Sequence, residues 1–276
     1  MTSKRVFLTG ASAGIGRAIA HRLTESGHRV WGTSRDLARL PSHDNFYPLE
    51  LDLSDMDSLR AGVTRALGKS GSFDVLINNV GSGIFSPLEQ FSHEDMSRQF
   101  QLLVFAPMEL TKLLLPGMRA GGGGLIVNIT SLAAVFPIPY MGAYNACKAA
   151  LSSLSWTLEM ELCREPIRVV DLRPGDIRTG FHKSMECHES LGEADVTDNI
   201  ARAYHAYTAN MNRAPSPDRV ARLVSDLVDD DGKLSSQINV GSAFQSRIAP
   251  LLRNVSPRGW TRLALKKYYK LKGRRS

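Results

Sequence analysis

A doubly wound α/β fold, with a parallel sheet covered by helices on both faces, is predicted by three observations. Short apolar runs rich in β-formers recur along the chain. Longer segments with helical periodicity separate most of them. The runs are apolar throughout instead of alternating, as strands buried on both faces are. The chain has 276 residues, and 43% of them are hydrophobic. One α/β domain often extends to roughly 200–250 residues, so a single domain over residues 1–246 followed by a short tail, 247–276, accounts for the length.

In chain order, Arg5–Thr9 is the first strand, and Gly14–Ser26 follows as a helix. The runs Arg29–Thr33 and Phe46–Leu51 are the second and third strands, and Asp55–Lys69 is the second helix. Val75–Asn78 is the fourth strand, followed by one long helical stretch, Glu94–Met118. Leu125–Thr130, the helix Ala143–Arg164 and Arg168–Leu172 continue the alternation. Residues 179–215 interrupt it and are expected to form a lid over one end of the sheet, as long insertions often do. The helix Pro217–Val228 and the strand Gln237–Val240 complete the domain. No internal repeat is present.

No apolar run reaches the roughly 18 residues of a membrane span, and the N-terminus enters a strand pattern directly. The three cysteines, Cys147, Cys163 and Cys187, fit neither a disulfide framework nor a zinc pattern. A cytoplasmic protein is the expectation.

The stretch TGASAGIG, residues 9–16, stands between the first strand and the first helix. Gly10 allows a tight turn, Gly14 lets backbone approach a pyrophosphate, and Gly16 lets the helix pack closely on the sheet. Ser12 and Ile15 lie in the same loop. The helix N-terminus presents unpaired N–H groups to phosphates. The spacing is GxxxGxG instead of the commoner GxGxxG. The second strand ends in WGTSR, where an adenosine ribose is expected. Ser34 and Arg35 suit a 2′-phosphate, whereas an acidic residue there would grip a free hydroxyl. The cofactor expected is therefore NADP(H).

Tyr144 and Lys148 are four residues apart in a predicted helix, which sets their Cβ atoms about 5–6 Å apart on one face. A free tyrosine titrates near ~10, and a neighbouring ammonium favours its phenolate. Such a tyrosine can exchange a proton with a carbonyl or alcohol oxygen, with Ser131 hydrogen-bonding the same oxygen.

Taken together, TGASAGIG, Asp52, NNVG at 78–81, Ser131, YNACK at 144–148 and PGDIRT at 174–179 come in the order seen in the short-chain dehydrogenase/reductase family. The Ser131–Tyr144 separation of thirteen also matches. The chain resembles that family over about residues 4–245, within its hydroxysteroid and retinol dehydrogenase-like branch. The resemblance implies a single Rossmann-type domain with a seven-stranded parallel sheet and hydride transfer between a nicotinamide and a carbonyl or alcohol carbon. It implies Tyr144 as general acid/base, with Lys148 holding the nicotinamide ribose and lowering the tyrosine pKa, and Ser131 orienting the substrate oxygen. It places Asp52 and Leu53 at the adenine and Asn79 and Gly81 along the cofactor cleft. Pro174, Gly175, Ile177 and Thr179 fall at the nicotinamide end. It also implies a homodimer or homotetramer.

Two positions depart from the family pattern. Val80 stands where NNAG has alanine. Leu103 falls where the family commonly carries an asparagine that holds a proton-relay water. Gln99 and Gln101 are close in sequence but would point elsewhere on a helix. Leu103 therefore raises an alternative, a sensor or scaffold that binds NADP(H) with weak or no turnover.

The loops 82–87 (SGIFSP) and 132–141 (LAAVFPIPYM) are mostly apolar and suit a small hydrophobic carbonyl or alcohol substrate. In the lid, Met185, Tyr204, Tyr207 and Met211 fit either substrate contact or packing of the lid onto the core. His182, Cys187 and His188 lack the ligand number and spacing of a metal site, so no metal is expected. Cys147 fits a small buried helix residue.

The formal charge is +7, yet residues 247–276 hold ten basic residues and no acidic one. Removing those ten leaves the rest of the chain at −3. In a helix from Arg258, Trp260, Leu263, Ala264, Tyr268 and Leu271 share a broad face, with Arg258, Arg262, Lys266 and Lys270 beside or opposite it. Two readings stand. The helix lies on an anionic membrane surface, or it packs on its own domain or a neighbouring subunit. No nucleic-acid-binding motif accompanies the charge.

Overall fold

The computed structural model describes residues 2–183, 185–187, 199–230 and 235–272. Seven strands form one parallel sheet: β1 (Arg5–Leu8), β2 (Arg29–Ser34), β3 (Phe46–Glu50), β4 (Val75–Asn78), β5 (Gly124–Ile129), β6 (Ile167–Pro174) and β7 (Gln237–Val240). Their spatial order is β3-β2-β1-β4-β5-β6-β7. The chain thus winds outward from β1 in one direction, then restarts beside β1 at β4. In register, Val6 faces both Val30 of β2 and Val75 of β4, and Asn78 faces Asn128 of β5.

The strands' two-residue period divides the core into two layers. Val6 and Leu8 face one side, where α1 (Gly14–Glu25) and α7 (Asp218–Asp229) bring Ile19, Leu23, Val220 and Val224. Phe7 faces the other, against Leu59 and Val63 of α2 (Met56–Ser70) and Leu110 and Leu114 of α4 (Ala106–Ala120). Each such side chain contributes about 1.5–3 kcal/mol on burial. The doubly wound architecture expected from the alternation is the one observed.

One expected element is split. The helical stretch before β5 consists of α3 (His93–Phe100) and α4, joined by a π-helical turn over Gln101–Phe105. Ser92 caps α3 with a reciprocal Ser92–Asp95 pair. Pro107 explains the turn, because it has no N–H to give the carbonyl of Leu103, and the ladder widens there. The helix that carries Tyr144 and Lys148, α5, spans Gly142–Glu161.

Within 179–215, the described residues include α6 (Asn199–Arg213) and a two-residue parallel ladder between Ile84–Phe85 and Glu186–Cys187. Beyond β7 come a π turn at Phe244–Ile248, α8 (Ala249–Val255) and α9 (Arg258–Tyr268). The tail packs on the domain through Leu265 and Tyr269, the latter 5% exposed in a cluster with Phe85, Met141 and Tyr207. Trp260 and Leu263 of the expected apolar face instead stay 71% and 63% exposed. Leu265 and Tyr269, one turn apart, lie on the other side of the helix, and Leu271 of the expected face packs against the same cluster.

Candidate active site

Every sequence-predicted site residue lies beyond or near the carboxyl end of a sheet strand. In parallel sheets a crevice opens there, at the point where the strand order reverses. Here that point lies between β1 and β4. A single cleft of about 1630 Å³ runs across it, lined by residues from the loops after all seven strands.

The glycine loop follows β1. Gly10 (φ +69°) and Gly14 (φ +52°) occupy left-handed conformations that favour glycine. Gly16 is required by space: a Cβ there would lie 2.1 Å from the Gly10 carbonyl oxygen and 2.4 Å from Asn79 Nδ2. The N-terminus of α1 has no side-chain cap and no acidic residue in its first turn, so its N–H groups remain available to an anion. Ser12 and Ile15 line the cleft with these glycines. Asn79 does more than line it. Its Nδ2 donates to the Thr9 carbonyl (2.9 Å) and the Gly10 carbonyl (3.2 Å), while its backbone N–H donates to Thr9 Oγ1 (2.8 Å). The loop is therefore braced by the strand next door.

At the end of the cleft beyond β2 and β3, where an adenosine is expected, Ser34, Arg35, Asp52 and Leu53 line it. Arg39 joins them and was not singled out from the sequence. It arrives through a short 3-10 turn, Leu37–Arg39, whose N-cap is Asp36. Hydrogen bonds from Ser54 and the nearby Arg35 hold the Asp52 carboxyl below its usual range, against the opposing effect of burial.

At the other end stand Ser131, Tyr144 and Lys148. Ser131 leaves β5 as the N-cap of a 3-10 turn, its Oγ accepting from Ala133 N–H at 3.0 Å. Tyr144 hydrogen-bonds Ser131. Lys148 is 3% exposed, and its Nζ donates to the Ile129 carbonyl at 2.8 Å and lies 5.8 Å from the Tyr144 ring centre. The three side chains are brought together as the sequence predicted, but their titration differs from the expectation. Burial pushes the Tyr144 phenol up to about 12, with the Ser131 bond pulling the other way. Burial also pushes Lys148 down to about 8. The depression expected from the lysine is outweighed because its ammonium is directed at a backbone carbonyl and both groups lose water.

Behind Lys148 lies a buried polar network that sequence reasoning missed. Asp171 of β6 accepts from Thr130, from Ser152 Oγ (2.7 Å) and from Arg173 Nε (2.8 Å). Arg173 Nη2 also reaches Ser152 Oγ at 2.6 Å. Thr130 adjoins Ser131 and Ser152 is one turn beyond Lys148, so the network fixes the strand end and the helix against each other. A second chain runs from Asn78 Nδ2 to Asn128 Oδ1 and from Asn128 Nδ2 to Ser155 Oγ, both 2.8 Å. A lone polar residue in an apolar run was the only sequence signal for these partners.

Leu103 is 1% exposed and packs with Val104 and Cys147 against Tyr144. Cys147 is buried, with burial raising its thiol to about 12. The expectation that Gln99 points away from the site is corrected. Gln99 is 2% exposed and lines the cleft, and its buried Oε1 has no hydrogen-bond partner among the described residues. The residue belongs to α3, whose face is set before the π turn shifts the register of α4.

Pro174, Gly175, Ile177 and Thr179, expected at the nicotinamide end, line the cleft, as does Gly81. Tyr207 and Met211 of α6 are buried and also line it; Met185 and Tyr204 pack in the adjoining cluster. His182 is 8% exposed. Among the described residues no group of three or more His, Cys, Asp or Glu could hold a metal ion, and His188 lies outside them.

A model described as short chain dehydrogenase matches residues 4–190. A 3-ketodihydrosphingosine reductase of Bacteroides thetaiotaomicron is 31% identical over 256 residues, which cover 92% of this chain and 90% of that protein. A short-chain dehydrogenase from Streptomyces avermitilis superposes with a TM-score of 0.81 at 28% identity, covering 98% of this chain and 97% of that one. The L-sorbose reductase of Gluconobacter frateurii, solved with NADPH and L-sorbose, superposes with a TM-score of 0.73 at 28% identity, covering 87% and 95%.

Proposed function

Because the chain belongs to the short-chain dehydrogenase family, we propose that it is an NADPH-dependent reductase of hydrophobic ketones or aldehydes, able to run in reverse on secondary alcohols. The observation that carries the reading is the convergence of Ser131, Tyr144 and Lys148 at one end of a cleft whose other end is a braced glycine loop.

NADP(H) is the cofactor, and the residues fit it. The uncapped α1 N-terminus, the space that Gly16 leaves and the Arg35–Arg39 pair suit, in order, a pyrophosphate, its close approach and a 2′-phosphate. When bound, NADPH supplies the hydride. Tyr144, protonated at neutral pH, donates its proton to the carbonyl oxygen. Ser131 donates a hydrogen bond to that oxygen and fixes its direction. Lys148 carries positive charge below about 8 and stabilises negative charge on the phenol oxygen as the proton leaves. Gln99 takes the relay position that Leu103 cannot serve, its side chain lining the cleft with an unpartnered Oε1. With that group in the cleft, Leu103 ceases to argue for a non-catalytic binder.

The substrate end supports an apolar molecule. Tyr207 and Met211 line it, with Phe85, Met141, Met185 and Tyr269 packed around. The relative named as a reductase of a long-chain ketone supports the same class. A homodimer or homotetramer, and peripheral contact of residues 247–276 with a lipid surface, belong to the same reading. The test is absorbance at 340 nm with NADPH and NADH across ketones and aldehydes of increasing chain length, wild type beside Tyr144→Phe. Turnover with NADPH that falls at least a hundredfold in the variant is the expected result. Absence of carbonyl-dependent oxidation of either cofactor overturns the reading.

A further inference from the structure

The outer side of the tail carries two kinds of exposed side chain that rarely share a surface in water. Leu251 of α8 is 68% exposed, Leu263 of α9 63% and Trp260 71%. Among them stand the basic residues of a segment with no acidic residue at all. A folded domain gains nothing by holding large apolar groups in water, and clustered cations alone favour solvent or an anionic partner.

The inner side of the same helices belongs to the cleft. Leu252, Arg253 and Lys267 line its mouth, and Trp260 stands at the rim between the cleft and the outer side. Tyr268 Oη donates to Asp176 in the loop after β6, and Gln245 Nε2 donates to the same carboxylate at 2.8 Å. One segment therefore faces water with apolar and basic groups, rims the cleft and is tied to the loop at its nicotinamide end.

We propose that α8 and α9 dock on an anionic phospholipid bilayer and that the apolar substrate passes from that bilayer into the cleft between them. This rests on the reductase reading and extends it to where the substrate is taken from. Charge complementarity selects the bilayer as occupant: the segment holds ten basic residues and no acidic one, so the same segment of a second copy repels it, whereas a layer of anionic headgroups matches it. Leucine and tryptophan bury at the headgroup boundary, while lysine and arginine meet lipid phosphate. A ketone dissolved in the acyl layer then reaches the cleft mouth without crossing water.

The experiment uses the full chain with vesicles of phosphatidylcholine alone and of phosphatidylcholine mixed with phosphatidylglycerol. Sedimentation with the mixed vesicles only, reversed by raised salt, is expected. The double variant Arg262→Glu/Lys266→Glu lowers partitioning by roughly several hundredfold, about fivefold for each of the four units of charge altered. Leu251→Glu/Leu263→Glu abolishes it. None of these four side chains lines the cleft, so turnover of a short water-soluble ketone stays unchanged in both variants. Turnover of a long-chain ketone presented in mixed vesicles falls with the binding. Equal binding to both vesicle types, no binding to either, or binding retained in both variants overturns the proposal. So does a wild-type dimer that the same variants dissociate, which would assign the face to a second copy. Unchanged turnover of the bilayer ketone despite lost binding overturns the entry route. Vesicle binding with no turnover of any carbonyl leaves the docking standing and removes the reductase reading.

Discussion

Lys148, which the proposed mechanism keeps charged beside Tyr144, costs stability through its burial. Burial lowers its folded-state pKa from 10.5 to about 8, so between those values the unfolded chain binds more protons. Stability therefore rises as pH climbs from about 8 towards 10.5, and the penalty is fully present below 8. Lys148→Met is expected to abolish turnover while raising stability at pH 7 by on the order of 1–3 kcal/mol, less whatever the bond to the Ile129 carbonyl contributes. Denaturant melts beside the activity assay check this. In the wild type, kcat/KM for reduction is expected to fall as pH rises through about 8, where the lysine loses its charge but Tyr144 still holds its proton. A profile flat from 7 to 10 contradicts that assignment. Gln99→Leu should lower kcat about tenfold or more, with little change in KM and an altered solvent isotope effect. A purely structural role would leave the isotope effect unmoved.

At the scale of elements, the glycine loop is the tightest constraint. Gly16→Ala places a methyl against the Gly10 carbonyl and Asn79, and overpacking of this kind costs roughly 1–3 kcal/mol. The expected result is a lower melting temperature together with a KM for NADPH raised at least tenfold. A variant with wild-type affinity would show that the loop is not the phosphate cradle. This loop was legible in the sequence because its chemistry is local: glycines at fixed offsets, between a strand and a helix. Ser131, Tyr144 and Lys148 were legible for the same reason. The π turn was not, since its cause is a missing donor at Pro107 felt one turn earlier at Leu103. Nor was the cluster around Asp171, whose partners Thr130, Ser152 and Arg173 come from the loop after β5, from α5 and from β6 and meet only after folding. In the tail, periodicity identified a helix but not its inner side. That side is chosen by the groove that receives Tyr269, not by summed hydrophobicity.

Among the described residues, exposed large apolar side chains gather in two areas, with Leu37 and Leu88 standing apart from both. One is the tail. The other holds Phe105 (52% exposed), Trp156 (63%) and Met160 (56%), from the α4 junction and α5. Trp156 and Met160 are one turn apart, the spacing of a helix face. Trp156→Glu/Met160→Glu is expected to convert a homo-oligomer to monomers in analytical ultracentrifugation, with turnover measured alongside. A wild-type monomer would contradict the oligomer reading. No helix among the described residues is long and apolar enough to cross a membrane.

The register of the sheet also dictates a timetable. Val6 pairs with Val75, and Asp171 pairs with Gln237. None of these contacts can form on the ribosome until the distant partner has emerged, and parallel pairings of such separation are intrinsically slow. The nucleotide-binding half, β1 to β4, can assemble first. The edge strand β7 and then the roof over the substrate can join only after residues 237 and beyond have emerged. During that interval β6 presents an open apolar edge, the kind of surface that chaperones hold. A newly made chain would thus acquire its glycine loop well before the cleft can exclude water.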